Sequence, residues 1–458
     1  MKIVFITPAS NFRRFWGYRF GNYLYGHPNA ITGPLILGRI LKDAGHDVEV
    51  YEELYVDTDF CGIKDVDAFC LYTMTSSAPR AYKLADEIHS RTNARVLIGG
   101  MHASAMPEEA AEHADQVVVG EAETIIVDIV EGRIAEKIVY AKCLENLDNA
   151  PLPDYSILKT PCAEANVMST RGCPFRCSFC TTSRMYHPYR ERSIDSVIDE
   201  LKYYKSLGFK YMNFEDDNFT ANKERAKEIC RRMIAEGLTF KDTFFFGRVD
   251  MAKDEEMLEL LQKAHFTYVL VGFESLNQAA LDEVDKRQKL SDIVNCANAL
   301  AKHKIRLIAS FVLGIDTDGA DDIRRCVDFA KSVNAYTLQP AVLTPFPGTA
   351  VYEQYLDEQR MITTDWSLFD MMNVTFQPKN MTPWALQKQF LSANKRFYTF
   401  AGSFRIMKEF GFEYGLRRLG LWLITCLAMF GAAIQSHFKK DSHFYWLRQN
   451  ERKLKKQA

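Results

Sequence analysis

Short apolar runs alternate with helix-length segments twice along this 458-residue chain, and that alternation limits the fold more than any other feature. The first series occupies residues 2–7, 47–52, 67–72, 95–98 and 116–119, with helical patterns such as 36–45 between them. A run like Ile3-Val4-Phe5-Ile6 is apolar on both faces, which predicts a strand covered on both sides. The segment 1–140 therefore reads as an α/β, doubly wound (Rossmann-like) parallel sheet whose ligand crevice opens at the carboxyl ends of its strands. The crevice loops are then 8–11, 73–77, 99–104 and 120–123. Between 141 and 165 the pattern dissolves into Leu-Asp-Asn-Ala-Pro-Leu-Pro-Asp and a further Pro161, which predicts a linker. A second series follows at 166–170, 210–215, 243–247, 267–273, 305–313 and 336–343. Six such units predict a partial (β/α)6 barrel over 166–375, with its site at the strands' C-terminal ends.

From 376 to 458 the strand signal stops and a helical C-terminal domain is expected. Its uncharged run 419–434 would be about 24 Å long as a helix, short of the roughly 20 residues of a transmembrane span. Charge is distributed unevenly. The whole chain carries 57 basic and 59 acidic residues, a balance of -2 that argues against a general nucleic-acid footprint. Residues 403–458 nevertheless hold 11 Lys and Arg against 4 Asp and Glu, which leaves 46 against 55 elsewhere. Aromatic residues Phe438, Phe444, Tyr445 and Trp446 interleave with those cations, so 416–458 is expected to associate with an anionic membrane surface. A core helix, a dimer contact and a true span are the other readings of the same run.

Eleven cysteines, in a chain that opens on a strand rather than a signal-peptide pattern, predict a reducing cytoplasm. Eight stand singly and read as small buried apolar residues. The other three form Cys173-Pro174-Phe175-Arg176-Cys177-Ser178-Phe179-Cys180, directly after the first predicted barrel strand. Three thiolates on one loop suit three irons of a 4Fe-4S cluster and leave the fourth iron open for another ligand. Gly172 and Pro174 suit a tight loop, and Phe179 would shield the cluster from water. A structural zinc site, or a trio without a role, is the alternative reading.

The triplet with an aromatic before its last cysteine, at the head of a six-unit barrel, resembles the radical S-adenosylmethionine (radical SAM) superfamily. That resemblance implies that the open iron chelates S-adenosylmethionine and that the cluster's electron cleaves it to a 5'-deoxyadenosyl radical. Cys173, Cys177 and Cys180 would be the metal-binding and catalytic residues. The segment Phe214-Glu215-Asp216-Asp217-Asn218 ends the second strand where the family grips the methionine ammonium, for which carboxylates are apt. Arg248 ends the third strand and is implied as a further cofactor contact, while Glu274 at the end of the fourth and Ser310 and Gly314 at the end of the fifth fall in segments that resemble those the family uses for the ribose and adenine.

A doubly wound domain before such a barrel is similar to the superfamily's cobalamin-binding subgroup. Thr73 and Thr75 after the third strand, Gly99, Gly100 and His102 after the fourth, and Gly120 and Glu121 after the fifth are implied as its cofactor contacts. Glycines there permit close backbone approach to a bulky nucleotide tail. The loop after the first strand, Thr7-Pro8-Ala9-Ser10-Asn11-Phe12, has no imidazole, so it supplies no histidine axial ligand. The resemblance implies a radical SAM enzyme, expected to methylate an unactivated carbon of a small or lipid-like substrate. A flavodoxin- or ferredoxin-type reductant would feed it, with the chain in the cytoplasm, peripheral at the inner face of the membrane. A non-methylating cyclisation, coupling or rearrangement, or a front domain that holds no cofactor, are the alternatives.

Overall fold

A computed structural model of the chain describes residues 1–14, 19–20 and 27–457. Six parallel strands form the front sheet: β1 (Lys2–Thr7), β2 (Asp47–Glu52), β3 (Ala68–Tyr72), β4 (Arg95–Gly99), β5 (Gln116–Val119) and β6 (Ile138–Tyr140). Their order, β2-β1-β3-β4-β5-β6, reverses beside β1, as a doubly wound sheet does. The sixth strand is an addition to the predicted five, because three residues are too short a run to signal a strand. Alternate side chains explain the double-sided apolar pattern. Val4 and Ile6 enter one buried cluster with Ala85 and Ile88 of the covering helix, while Ile3 and Phe5 enter another with Leu35 and Leu41. Leu35 and Leu41 belong to α1 (Thr32–Asp43), and Ala85 and Ile88 to α2 (Ala78–Arg91).

The proline-containing segment is packed rather than loose. Ile157 lies so close to α1 that a Cβ at Gly38 would come within 2.4 Å of its Cδ1. Tyr155 packs edge-on to Tyr204 and near Phe209 of the barrel, and its hydroxyl accepts from the Asn166 amide at 3.0 Å.

The second sheet starts at β7 (Glu164–Val167), shorter than the predicted 166–170 and shifted toward the N terminus. A two-residue antiparallel ladder follows, β8 (Thr170–Arg171) against β9 (Arg190–Glu191). The sheet then resumes with β10 (Tyr211–Phe214), β11 (Asp242–Gly247), β12 (Phe266–Glu274), β13 (Arg306–Leu313) and β14 (Thr337–Val342). All six long strands are parallel, in the order β14-β13-β12-β11-β10-β7, with β7 and β14 at the two edges, so the barrel is open. Its outer layer is α3 (Ile194–Ser206), α4 (Lys223–Ala235), α5 (Glu255–Lys263), α6 (Leu290–Lys302) and α7 (Ala320–Ser332). Ser193, Asn222 and Asp254 each accept a backbone N–H in the first turn of α3, α4 and α5, contributing about 1 kcal/mol apiece.

Four helices complete the chain: α8 (Pro383–Phe397), α9 (Phe400–Phe410), α10 (Phe412–His437) and α11 (His443–Gln457). The uncharged run is only the middle of α10, which spans 26 residues because helix-forming flanks extend it on both sides. Gly411, at φ +107°, breaks α9 from α10. Of the eight single cysteines, Cys70, Cys230, Cys296 and Cys326 are buried as expected, whereas Cys61 and Cys426 are exposed.

Candidate active site

The cysteine loop is closed at its base by the β8–β9 ladder, so its position depends on two residues on each side. Gly172, the first residue after β8, has φ +80°, and a Cβ there would stand 2.2 Å from the Tyr186 carbonyl oxygen, so only glycine fits. Farther along, the Ser178 amide donates to the Val284 carbonyl at 3.2 Å, and the Ser178 carbonyl accepts from the Val351 amide. The loop is thereby held between the end of the short helix after β12 (Gln278–Glu283) and the first turn of the helix after β14 (Ala350–Asp357).

All three thiols line one wall of a cavity of about 710 Å³ that lies between the carboxyl ends of the two sheets. Burial pushes the Cys173 thiol up to about 11 and raises Cys177 as well, so without iron both are protonated at neutral pH. Cys180 Sγ lies 3.1 Å from the Thr182 hydroxyl. Among the described residues no three His, Cys, Asp or Glu side chains converge on one point as ligands of a single metal ion. A closed zinc site needs such convergent ligands. A cubane cluster does not, because each sulfur binds a different iron, and three thiols spread along one cavity wall fit it.

Two groups of charged side chains face this space. Glu215 at the end of β10 accepts from the Thr32 hydroxyl of α1 at 2.7 Å, and burial raises its pKa to about 7. Asp217 is raised by burial to about 6, opposed by hydrogen bonds from Thr182 and the Gly172 amide. On β12 the Glu274 carboxylate pairs with Lys286 at 2.5 Å. Gly272 leaves room for that pair, since a Cβ there would lie 2.3 Å from Glu274 Oε1 and 2.8 Å from Lys286 Nζ. Arg248 donates to the Lys286 carbonyl at 2.5 Å and stacks 3.7 Å above the centroid of Phe175, on the cysteine loop. Phe179, Asn213 and Asn218 line the same cavity.

The front half of the cavity is contributed by Gly99, Gly100, Gly120 and Glu121 together with Ile31 to Pro34. It continues inward along the sheet, past Phe5, Ile36, Leu37, Cys70, Leu97, Val118 and Ile126, as a slot between α1 and the sheet face. An apolar slot beside a glycine-lined rim suits a large, flat, mostly apolar group, and Gly99, Gly100 and Gly120 would admit a corrinoid there. Gly100, at φ +103°, passes within 2.8 Å of the Thr73 backbone measured from an ideal Cβ, so the rim admits no side chain at that point.

Several expected contacts lie elsewhere. Thr73 is fully buried. Its hydroxyl donates to the Gly99 carbonyl at 2.9 Å and accepts from the Ala103 amide, which makes it the staple that holds the glycine turn. Thr75 is half-buried in a short helical turn and does not line the cavity. His102 is fully buried on the far side of that turn, 5.1 Å from the Trp366 ring centroid and 3.5 Å from Glu109 Oε1. No histidine is among the residues lining the cavity, and the predicted crevice residues Pro8, Ala9 and Ser10 are not among them either. Asp216 is turned into the loop base, where it accepts from the Ser169 hydroxyl and the Thr170 amide. Gly314 packs against α8, its ideal Cβ only 2.5 Å from Leu386, and Ser310 lies within β13 away from the cavity. Glu121 lines the rim, but its carboxylate is already held by Arg171 and Arg190. For Thr73, Thr75, His102, Asp216 and Glu121 the position near a strand end was legible in the sequence while the side chain's direction was not. Lys286, Thr32 and Asn213 were missed for the converse reason: nothing local to them signals a cavity wall.

The fold and the cavity define a radical SAM barrel preceded by a cobalamin-type domain. Residues 167–330 match the model of the radical SAM superfamily and residues 24–130 that of the B12 binding domain. The chain is 30% identical over 390 residues to bacteriochlorophyllide d C-12(1)-methyltransferase of Chlorobaculum tepidum, covering 81% of this chain and 83% of that protein. It is 28% identical to the C-8(2)-methyltransferase of the same organism, over 77% of this chain and 82% of the other. Its fold matches the radical S-adenosylmethionine methyltransferase TsrM of Kitasatospora setae, solved with cobalamin and a 4Fe-4S cluster, at a TM-score of 0.66 and 15% identity, over 94% of this chain and 99% of that one. The protein belongs to the cobalamin-dependent radical SAM methyltransferase family, and its cofactors are a 4Fe-4S cluster, S-adenosylmethionine and cobalamin.

Proposed function

We propose that this protein transfers a methyl group to an unactivated carbon of a small or lipid-like apolar substrate. Ring-bearing molecules of the chlorophyllide kind, for which two relatives are named, are the first class to try. The observation that carries this reading is a single cavity, which receives Cys173, Cys177 and Cys180 from the barrel and Gly99, Gly100 and Gly120 from the front sheet. When bound, the cluster with S-adenosylmethionine supplies the radical that removes a substrate hydrogen atom, and cobalamin supplies the methyl group.

The chain's own part is binding, orientation and exclusion of water. The three cysteines would hold the cluster. Asp217 and Glu215 present carboxyl groups on one wall, suited to an ammonium, while Lys286 and Arg248 present cations suited to a carboxylate. Phe175, Phe179, Phe246 and Leu270 make the space between them apolar, which favours a substrate with little charge at the reacting carbon. A flavodoxin- or ferredoxin-type protein would deliver the electron.

Anaerobic turnover with methyl-labelled S-adenosylmethionine tests the reading. Label in the product together with 5'-deoxyadenosine is expected. Unlabelled product together with 5'-deoxyadenosine would show a non-methylating radical reaction and overturn it.

A further inference from the structure

We propose that the C-terminal helices seat this protein on an anionic lipid bilayer, with α10 lying in the plane of the surface rather than crossing it. This is independent of the chemistry in the cavity. Along α10, Phe412, Leu416, Leu423, Leu427, Phe430 and Ile434 are all exposed, Phe412 at 70% and Phe430 at 68%. At 3.6 residues per turn these six fall within a sector of about 60° on one side of the helix. Gly415, Arg418, Ala432 and Ser436, on the other side, are buried. Phe438, 80% exposed, prolongs the stripe past the helix end. Phe400 and Phe404 of α9 widen it, for Phe400 stacks edge-on to Trp422 at 5.5 Å and both phenylalanines are exposed. A soluble surface rarely leaves a contiguous apolar strip of this length open.

Charge identifies the partner. No Asp or Glu occurs from 414 to 440; near one end of the stripe exposed Arg405 and Lys408 are balanced by exposed Glu409 and Glu413, so the cationic excess lies at the other, where Lys439 and Lys440 are followed by Arg448, Arg452 and Lys453 against Asp441 and Glu451. Cations beside a row of aromatic and leucine side chains match anionic headgroups over acyl chains. A second copy of the chain fits less well, because the only carboxylate on α10, Glu413, is already paired with Lys241 and Arg417 and leaves none for a partner's Lys439 and Lys440. A span is opposed by the far side of the helix. Arg418 is buried there, donating to the Tyr336 carbonyl of the barrel at 2.6 Å and to the Phe397 carbonyl at 3.2 Å, so lipid cannot surround α10 while it stays docked. The in-plane pose uses the exposed face and leaves these bonds intact.

Flotation of the full-length, cluster-loaded protein tests this with vesicles of phosphatidylcholine alone and of phosphatidylcholine mixed with phosphatidylglycerol. Binding to the mixed vesicles is expected, weakened by salt and released by alkaline carbonate. The double variant Leu427→Gln, Phe430→Gln is expected to bind about tenfold less to the mixed vesicles, since two apolar side chains lose their burial. Lys439→Glu with Lys440→Glu should lose about 30-fold or more there and lose the preference for anionic lipid. These positions are exposed, so iron content and melting temperature serve as controls that the fold is kept. Failure of the wild type to float would overturn the proposal. So would a stable dimer that L427Q/F430Q converts to monomer, or resistance to carbonate, which would show a span.

Discussion

Arg190 Nη2 lies 2.5 Å from Glu121 Oε1, and this pair fastens the strand that closes the cysteine loop to the front-domain loop that follows β5. Glu121 also pairs with Arg171 at 3.0 Å and accepts from the Leu144 amide at 2.8 Å, while Arg171 reaches Glu123 at 2.6 Å. Burial works to raise the Glu121 pKa, but Arg190, Arg171 and the amide outweigh it and hold the carboxyl below its ordinary value. The rim of one cofactor site and the base of the other are thus one buried network. Changing Glu121 to Ala leaves two guanidinium groups short of a partner in a site with little access to water, a loss on the order of 3–5 kcal/mol. Calorimetry should show a lower melting temperature for Glu121→Ala, and reconstitution a lower iron content. An unchanged protein by both measures would sink this account of the interface.

A pH dependence follows from the buried acids between the domains. Burial raises Glu52 and Glu164 to about 8 and Glu215 to about 7. Each folded-state pKa is above the unfolded value of about 4.5, so the folded chain holds more protons in between. Stability is therefore greatest at the acid end of that window and is lost as pH rises from about 4.5 to about 8. Glu52 accepts from the Ile31 amide at 2.9 Å and the Thr7 hydroxyl at 3.1 Å, bonds that an amide oxygen also accepts. Glu52→Gln should accordingly flatten the fall in melting temperature between pH 6 and 9, and a slope as steep as the wild type's would contradict the assignment.

Lys286 is expected to contribute to S-adenosylmethionine binding without touching the cluster. Losing one charge-assisted hydrogen bond, at about 1.5–3 kcal/mol, weakens affinity roughly 10- to 100-fold. Titration of S-adenosylmethionine into Lys286→Gln, with cluster absorbance as the control, reads this directly. Wild-type affinity in that variant would place the ligand on other side chains.

His102 is expected to matter for folding rather than for the corrinoid. Its ring is buried beside Trp366, whose indole N–H donates to Glu109 at 2.9 Å, and it does not line the cavity. Truncation to Ala should lower stability by about 1–3 kcal/mol, chiefly through lost packing of a buried ring. The corrinoid spectrum of the purified variant should match the wild type. Loss of corrinoid from a variant that still folds would show that the histidine reaches the cofactor.

Legibility in the sequence followed the range of the interaction. The Cys173, Cys177 and Cys180 loop could be read because its spacing is local and its glycine and proline are adjacent. Eleven of the twelve strands in the two sheets were readable, all but the three-residue β6, because both-face burial writes itself as continuous apolar runs. Thr32 and Glu215 are 183 positions apart, and neither carries a mark of the other. Thr73, Thr75 and His102 were placed on the right loops but assigned the wrong direction, since a loop's sequence does not say which side chain staples it and which faces the ligand.

By itself the sequence determined two α/β units, a three-thiol loop at the head of the second and a basic, aromatic end, because local periodicity and spacing encode those features. Tertiary structure decided that Gly99, Gly100 and Gly120 share one cavity with the thiols, that Lys286 stands on its wall, and that α10 turns its leucines and phenylalanines outward. Those facts depend on how two separately wound sheets meet, and the meeting is set by buried ion pairs and packing between residues far apart in the chain.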